Sequence, residues 1–360
     1  EDVALQLTKI EQQKNKTEVV KQINQLLKQQ NLTSLQRVDA LLLQSRSYLS
    51  LNDFEQAMLV SKNAANVAVQ NRLFELQAKA NKLQGIIAYY QGHYKQAINA
   101  YQASLNYFQS LAQNQTKKEI AETAVIQANL LNNIALVQTV QGDSFAALTS
   151  YQQAEILYQR FGDEVDKIDV RYNIATLYIS LRRYDLAISM LKQVITKRAV
   201  LGHEYDVAKA SADLGVAYKY SGQYQQAIQY NLAALDYFQQ NEHQYDIASQ
   251  LHNVAEIYYE LEQVNKALVY AKQGSEISKE IGHQQAYGGS LHTLAKVAFY
   301  QGDIEQALNY FQQSNSIAEK MGYHGLLNEN LNLQALIYAA QGETAQALKS
   351  QLAYQKKRLQ

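Results

Sequence analysis

Apolar residues along this chain return at three- and four-residue steps, and the whole pattern repeats about every forty residues. From Glu204 onward Val207, Ala210, Leu214, Ala217 and Tyr218 fall on one helical face, and the run stops at Ser221-Gly222. Ala227, Ile228, Leu232, Leu235 and Phe238 follow as a second run. The spacing predicts two amphipathic helices, each about 15 to 18 residues, joined by a tight turn. An alanine marks the same phase of every unit: Ala57, Ala97, Ala147, Ala187, Ala227, Ala267, Ala307 and Ala347. Each step is 40 residues except that from Ala97 to Ala147, which is 50. Five residues before each alanine stands a turn position, occupied in order by Asn52, Gly92, Gly142, Arg182, Gly222, Glu262, Gly302 and Gly342. A fixed period of this size implies stacked helix pairs sharing one continuous core.

A second set of turns closes the units at Gly162, Gly202, Gly282 and Gly322, with Glu242 in place of glycine once. Glycine just past a helix end is expected to supply the left-handed cap. Residues 1–33 lack the repeat; Leu7, Ile10, Val19, Val20, Ile23 and Leu26 predict a helical pair that caps the array, leaving 34–360 as the solenoid. The ten extra residues around Gln113-Asn114-Gln115-Thr116-Lys117-Lys118 are either a longer loop or added helical turns, and either a neutral insertion or a specialised contact.

Within the fifth unit the residues run Asp213-Leu214-Gly215, Tyr218, Gly222, Tyr224, Ala227 and Ala234-Leu235; the second has Gly85, Gly92, Tyr94, Ala97, Tyr101 and Leu105. The third carries Asn133-Ile134-Ala135, Gly142, Ala147 and Ala154. This pattern resembles the tetratricopeptide repeat over roughly residues 35 to 355, with a longer period than the usual one and no closing proline. The resemblance implies an all-α fold, a right-handed superhelical solenoid of about eight antiparallel helix pairs, with small residues where paired helices touch.

Composition narrows the function. The chain has no proline, cysteine or tryptophan. Proline's absence fits near-continuous helix, and the lack of cysteine removes disulfides and thiolate metal sites while leaving the redox compartment open. Its 33 basic and 33 acidic residues balance to a formal net charge of +0, which argues against nucleic acid as the main partner. No apolar run approaches the roughly 20 residues of a membrane span. The opening at Glu1-Asp2 and the basic close are read as a mature product or a piece of something longer. No phosphate-binding glycine loop, nucleophile elbow or His-Glu-x-x-His motif occurs, so neither catalysis, a cofactor nor a resident metal is expected.

Histidines offer the sharpest chemistry. His252 and His292 share a phase on the first helices of neighbouring units, and the family's pattern points that phase to the concave face. Two such imidazoles could share a ligand or a metal, but partly exposed groove residues are the plainer reading. His203, His243 and His283 also repeat at 40 and follow the closing turns, where they read as capping surface residues. By the resemblance, the groove positions include Lys79, Lys82, Asn129, Asn132 and Asn133, then Asp169, Tyr172, Asn173 and Thr176. Lys209, Asp213 and Tyr220 follow, then Ser249, His252, Asn253, Glu256 and Tyr259, and last His292, Lys296 and Phe299. Asn133, Asn173 and Asn253 share one phase, with Asp213 between them. An asparagine amide can clamp a peptide backbone because it both donates and accepts, or it can merely satisfy neighbouring helices. Lys79 and Lys82 with Asn132 and Asn133 approach a terminal-carboxylate clamp only loosely. Most of the 27 tyrosines are expected in packing, with some facing the groove.

These readings imply a module that binds a peptide or protein in its concave groove. The long period and the Gln- and Asn-rich surface resemble extracytoplasmic sensory regions of bacterial diguanylate cyclases and histidine kinases, with a membrane tether outside the chain and a periplasmic location. A cytoplasmic peptide-pheromone receptor, a passive assembly scaffold and a homodimer remain alternatives.

Overall fold

A computed structural model describes residues 3–29, 31–111 and 116–358. Among these there are eighteen α-helices and no strand. Helices α1 (Val3–Glu11) and α2 (Lys16–Leu27) precede eight helix pairs. The pairs are α3 (Ser34–Ser50) with α4 (Phe54–Gln70), α5 (Phe74–Tyr90) with α6 (Tyr94–Ser110), and α7 (Lys117–Val140) with α8 (Ser144–Phe161). Next come α9 (Glu164–Ser180) with α10 (Tyr184–Val200), α11 (Glu204–Tyr220) with α12 (Tyr224–Gln240), and α13 (Gln244–Glu260) with α14 (Val264–Glu280). The last are α15 (Gln284–Tyr300) with α16 (Ile304–Met321), and α17 (His324–Ala340) with α18 (Thr344–Arg358). The chain forms two compact units, 1–177 and 178–360, which divide within α9.

The forty-residue ladder is a packing device. Ala57, Ala97, Ala147, Ala187, Ala227, Ala267 and Ala307 are each 0% exposed, whereas Ala347 in the last helix is half-buried. Opposite them the first helices carry another small residue, including Ser45, Gly85, Ala135, Ala175, Gly215, Ala255 and Ala295. A Cβ on Gly85 would sit 2.6 Å from the Tyr101 ring, and one on Gly215 would overlap the Asn231 amide. The absent side chain on the first helix makes room there for a large one from its partner helix. Larger residues fill the space to the next pair: Leu214, Leu251 and Ile257 are almost wholly buried. Each such side chain contributes about 1.5–3 kcal/mol relative to exposure.

All eight turns inside the pairs adopt the left-handed conformation, from φ 58° at Arg182 to φ 81° at Gly302. Asn52, Arg182 and Glu262 do so despite carrying a side chain. The closing turns behave likewise at Arg72, Gly202, Glu242, Gly282 and Gly322, but Gly162 is a correction. It is extended, at φ −78° and ψ 162°, and its amide bonds Tyr158 O. The turn there is held by Asp163 instead: its Oδ1 accepts from the Asp166 amide at 2.8 Å, and Asp166 Oδ2 accepts from the Asp163 amide at 3.3 Å.

In the first unit, Ile10, Val19, Ile23 and Leu26 of α1 and α2 pack against Ala40 and Leu43 of α3. The fifty-residue step appears as a lengthened α7, 24 residues against the usual 17, about two turns more. Its start is fixed by a capping box in which the Thr116 hydroxyl and the Glu119 carboxylate each take the other's backbone amide. Gln113, Asn114 and Gln115 lie outside the described residues. Helix α7 is also long and apolar enough to cross a membrane by length and composition, contrary to the expectation that no run approaches a span. Here it is a repeat helix that buries Ala128, Leu131, Ile134 and Ala135 in the first unit.

Candidate functional site

In the second unit four successive first helices place charged groups around one open cavity of about 310 Å³. Helix α11 contributes Lys219 and Tyr220, α13 contributes Glu256, Tyr259 and Glu260, α15 contributes His292 and Lys296, and α17 contributes Glu329. The forty-residue period places equivalent phases side by side, so charges far apart in sequence meet. Lys219, 7% exposed, donates to Glu256, 9% exposed. Lys296 donates to Glu260 at 2.8 Å. Both ammonium groups also lie over tyrosine rings, Lys219 4.3 Å from the Tyr220 centroid and Lys296 4.2 Å from that of Tyr259.

The buried pair sets the local electrostatics. Burial opposes the charge on Lys219, yet Glu256, with Tyr220 and Glu329, holds its pKa above the usual lysine value. Burial likewise opposes charge on Glu256, and Lys219, His252 and Lys296 overcome it, keeping the carboxyl well below its ordinary range. Glu329 differs: burial and the neighbouring Glu256 charge push it up to about 7, against the pull of Lys219 and Lys296. His252 and His292 are each pushed down to about 4, chiefly by burial.

Of the histidine pair expected to be partly exposed, His252 is so and His292 is not. His292 is 4% exposed, and its Nδ1 lies 2.7 Å from the Asn330 amide oxygen. His252 is half-buried; its Nδ1 is enclosed without a hydrogen-bond partner among the described residues, and a Cβ at Gly289 would overlap its ring. Removing the side chain at position 289 makes room for the imidazole. The second histidine series also needs correction. His203, His243 and His283 occupy the N-caps of α11, α13 and α15 but make no side-chain cap bond. His283 is 5% exposed, stacked 3.7 Å from Tyr245 and 2.9 Å from the Ser249 hydroxyl.

The first unit holds a different set. Asn173 donates to Asn132 Oδ1 at 3.0 Å, linking α9 to α7, and the Tyr158 hydroxyl donates to Asn129 at 2.8 Å. Asn133 and Tyr172 are half-buried and Asp169 is exposed. Lys82 is half-buried, and burial lowers its pKa. Lys79 instead pairs with Glu75, one turn back on its own helix, at 2.7 Å. In the second unit Lys209 is exposed, while Asp213 and Asn253 are half-buried. Of the residues singled out from sequence, the cavity thus gathers Tyr220, Glu256, Tyr259, His292, Lys296 and Phe299, with His252 beside Glu256.

Lys219, Glu260 and Glu329 escaped the sequence reading. Lys219 shares the phase of Tyr259 and Phe299, both assigned to the groove, and Glu329 shares that of Lys209 and Ser249. Carrying the phase count through α17 finds Glu329.

The tetratricopeptide-repeat model matches residues 126–199 and 246–320, and a second model of that repeat matches 172–242. No curated protein matches the sequence. The apo form of the quorum sensor NprR from B. thuringiensis is similar at 14% identity and TM-score 0.68, over 94% of this chain and 92% of that one. Aspartyl phosphate phosphatase F from Bacillus subtilis is similar at 18% identity and TM-score 0.66, over 95% and 88%. A Rap protein complexed with competence and sporulation factor matches at 16% identity and TM-score 0.63, over 91% and 88%. At these identities the likeness is one of fold.

Proposed function

Because the chain is a tetratricopeptide-repeat protein, we propose that its second unit binds a peptide or an extended protein segment along the first helices, over the cavity ringed by Lys219, Glu256, Lys296 and Glu329. The observation that carries this reading is the buried Lys219–Glu256 pair facing an open cavity. Burying an ion pair is a poor way to gain stability, since desolvation offsets most of the attraction. Set beside tyrosines with polar tips, the pair presents fixed dipoles and flat apolar faces to a ligand. The solved structure of a Rap protein with competence and sporulation factor supports the reading by analogy of fold.

The test is a random-peptide display screen against the full chain, with affinities by calorimetry. Tyr220→Ala and Tyr259→Ala are expected to weaken the selected peptides by about tenfold or more. Equal binding by both variants moves the site elsewhere, and failure to select any peptide sinks the peptide reading.

We further place the module in the sensory part of a bacterial signalling protein, outside the cytoplasm; the gene's flanking sequence tests this. A secretion signal upstream and a membrane span downstream support it. A gene encoding the array alone refutes it in favour of a cytoplasmic peptide receptor, the reading that similarity to the quorum sensor NprR favours.

A further inference from the structure

Pairing around the cavity leaves one carboxylate over. Lys219 is taken by Glu256 and Lys296 by Glu260, while Glu329 makes no hydrogen bond or ion pair among the described residues though it lines the same space. A second acceptor on the same cavity wall belongs to His292. The Ser314 hydroxyl donates to Gly288 O at 2.9 Å and so accepts from the Asn330 amide nitrogen at 3.2 Å. That fixes the Asn330 oxygen toward His292 Nδ1, at 2.7 Å. The ring proton then sits on Nδ1 and the lone pair on Nε2, the one nitrogen of this buried side chain without a partner. The cavity's 310 Å³ is near the lower bound of about 300–1,000 Å³ for ligand pockets, room for one long side chain.

We propose that Glu329 and His292 form a subsite for a cationic nitrogen group, the guanidinium or ammonium of a basic side chain on the bound peptide. The inference rests on the peptide reading for the source of the cation, whereas the subsite's chemistry is its own. The two lysines are already neutralised by their partners, so an entering cation meets a net negative charge. Phe299 and Tyr354, also on the cavity wall, offer ring faces to the same group.

The subsite is also coupled to protonation. Glu329 faces Lys219, Glu256, Glu260 and Lys296, with His292, Tyr220 and Tyr259 on the cavity wall. Lys219, Tyr220 and Tyr259 are shifted up, Glu256 down, and both histidines to about 4. Glu329, at about 7, is therefore the group that gains charge between pH 6 and 8. Its ionised fraction rises about tenfold over that interval, and affinity for a cation rises with it.

Agmatine, which carries both cationic groups without a peptide, is the probe, titrated calorimetrically into the full chain with butyrate as the anionic control. Saturable millimolar binding is expected at pH 8, about tenfold weaker at pH 6. Glu329→Gln keeps the side-chain shape; it is expected to weaken binding by about tenfold or more and to abolish the pH dependence. Undiminished binding by Glu329→Gln, preference for butyrate, or no saturable agmatine binding overturns the subsite. Peptides selected by display but indifferent to basic residues overturn it too, leaving the groove reading intact. Agmatine binding without any selected peptide does the reverse.

Discussion

The same helical phases hold different chemistry in the two units. In the first, Asn132 and Asn173 bond each other and Asn129 accepts from Tyr158, so neutral amides are satisfied within the protein. In the second, one ion pair is buried, a second lies nearer the surface, and one carboxylate is left without a partner among the described residues. Amides that close on themselves fix neighbouring helices at little cost. Charges in unequal number leave a site that a third party can complete. Repetition supplies the positions in both cases, and the residue placed at each decides whether a row is mortar or receptor.

The largest test of this contrast is Glu256→Ala. Stranding the Lys219 ammonium in the interior is expected to cost about 3–5 kcal/mol in urea unfolding. If the loss is no greater than that of an amide, the second unit's charges are solvated and the contrast collapses. Glu329→Gln tests it in the opposite direction. The folded-state pKa of Glu329, about 7, stands above its ordinary 4.5, so the folded state holds the proton more tightly. Stability from this group is therefore present at low pH and is lost as pH rises from 4.5 through 7. Glu329→Gln should stabilise the protein by about 1–3 kcal/mol at pH 8 and by nothing near pH 4. A stability gain independent of pH would show that charge is not the cause. In the first unit Asn132→Ala is expected to cost about 1 kcal/mol, as for an ordinary hydrogen bond. The smallest effect belongs to the turns: Glu262→Gly should stabilise by about 0.5 kcal/mol in thermal unfolding, by relieving a left-handed side chain.

Much of the architecture was legible because it is periodic. Ala57 through Ala307 mark the contact of paired helices, and the turn positions five residues earlier are all left-handed. Gly162 departed because a neighbouring aspartate took over the turn, which a glycine count does not register. The site was less legible, since phase tells which helix face a residue occupies but not how deep it lies. His292 and His283 are both enclosed by residues from a neighbouring pair, Asn330 of the next in one case and Tyr245 of the preceding one, by stacking, in the other. Glu256 was named as a groove residue, but its partner Lys219, at a phase that is aromatic in the two following units, was visible only once α11 and α13 were side by side.

The left-handed turns also make the molecule easy to instrument. Arg182 and Glu262 are exposed and already hold a side chain in a conformation that usually excludes one. Since the chain has no cysteine of its own, a thiol at Arg182 or at Glu262 would be the sole one in the protein. Spaced two repeats apart on a backbone that has shown it accepts substituents there, the pair makes a ruler for spectroscopic distance measurement within the second unit. A ligand that shifts these helices on entering the cavity between Lys219 and Glu329 would then be read as a change in length.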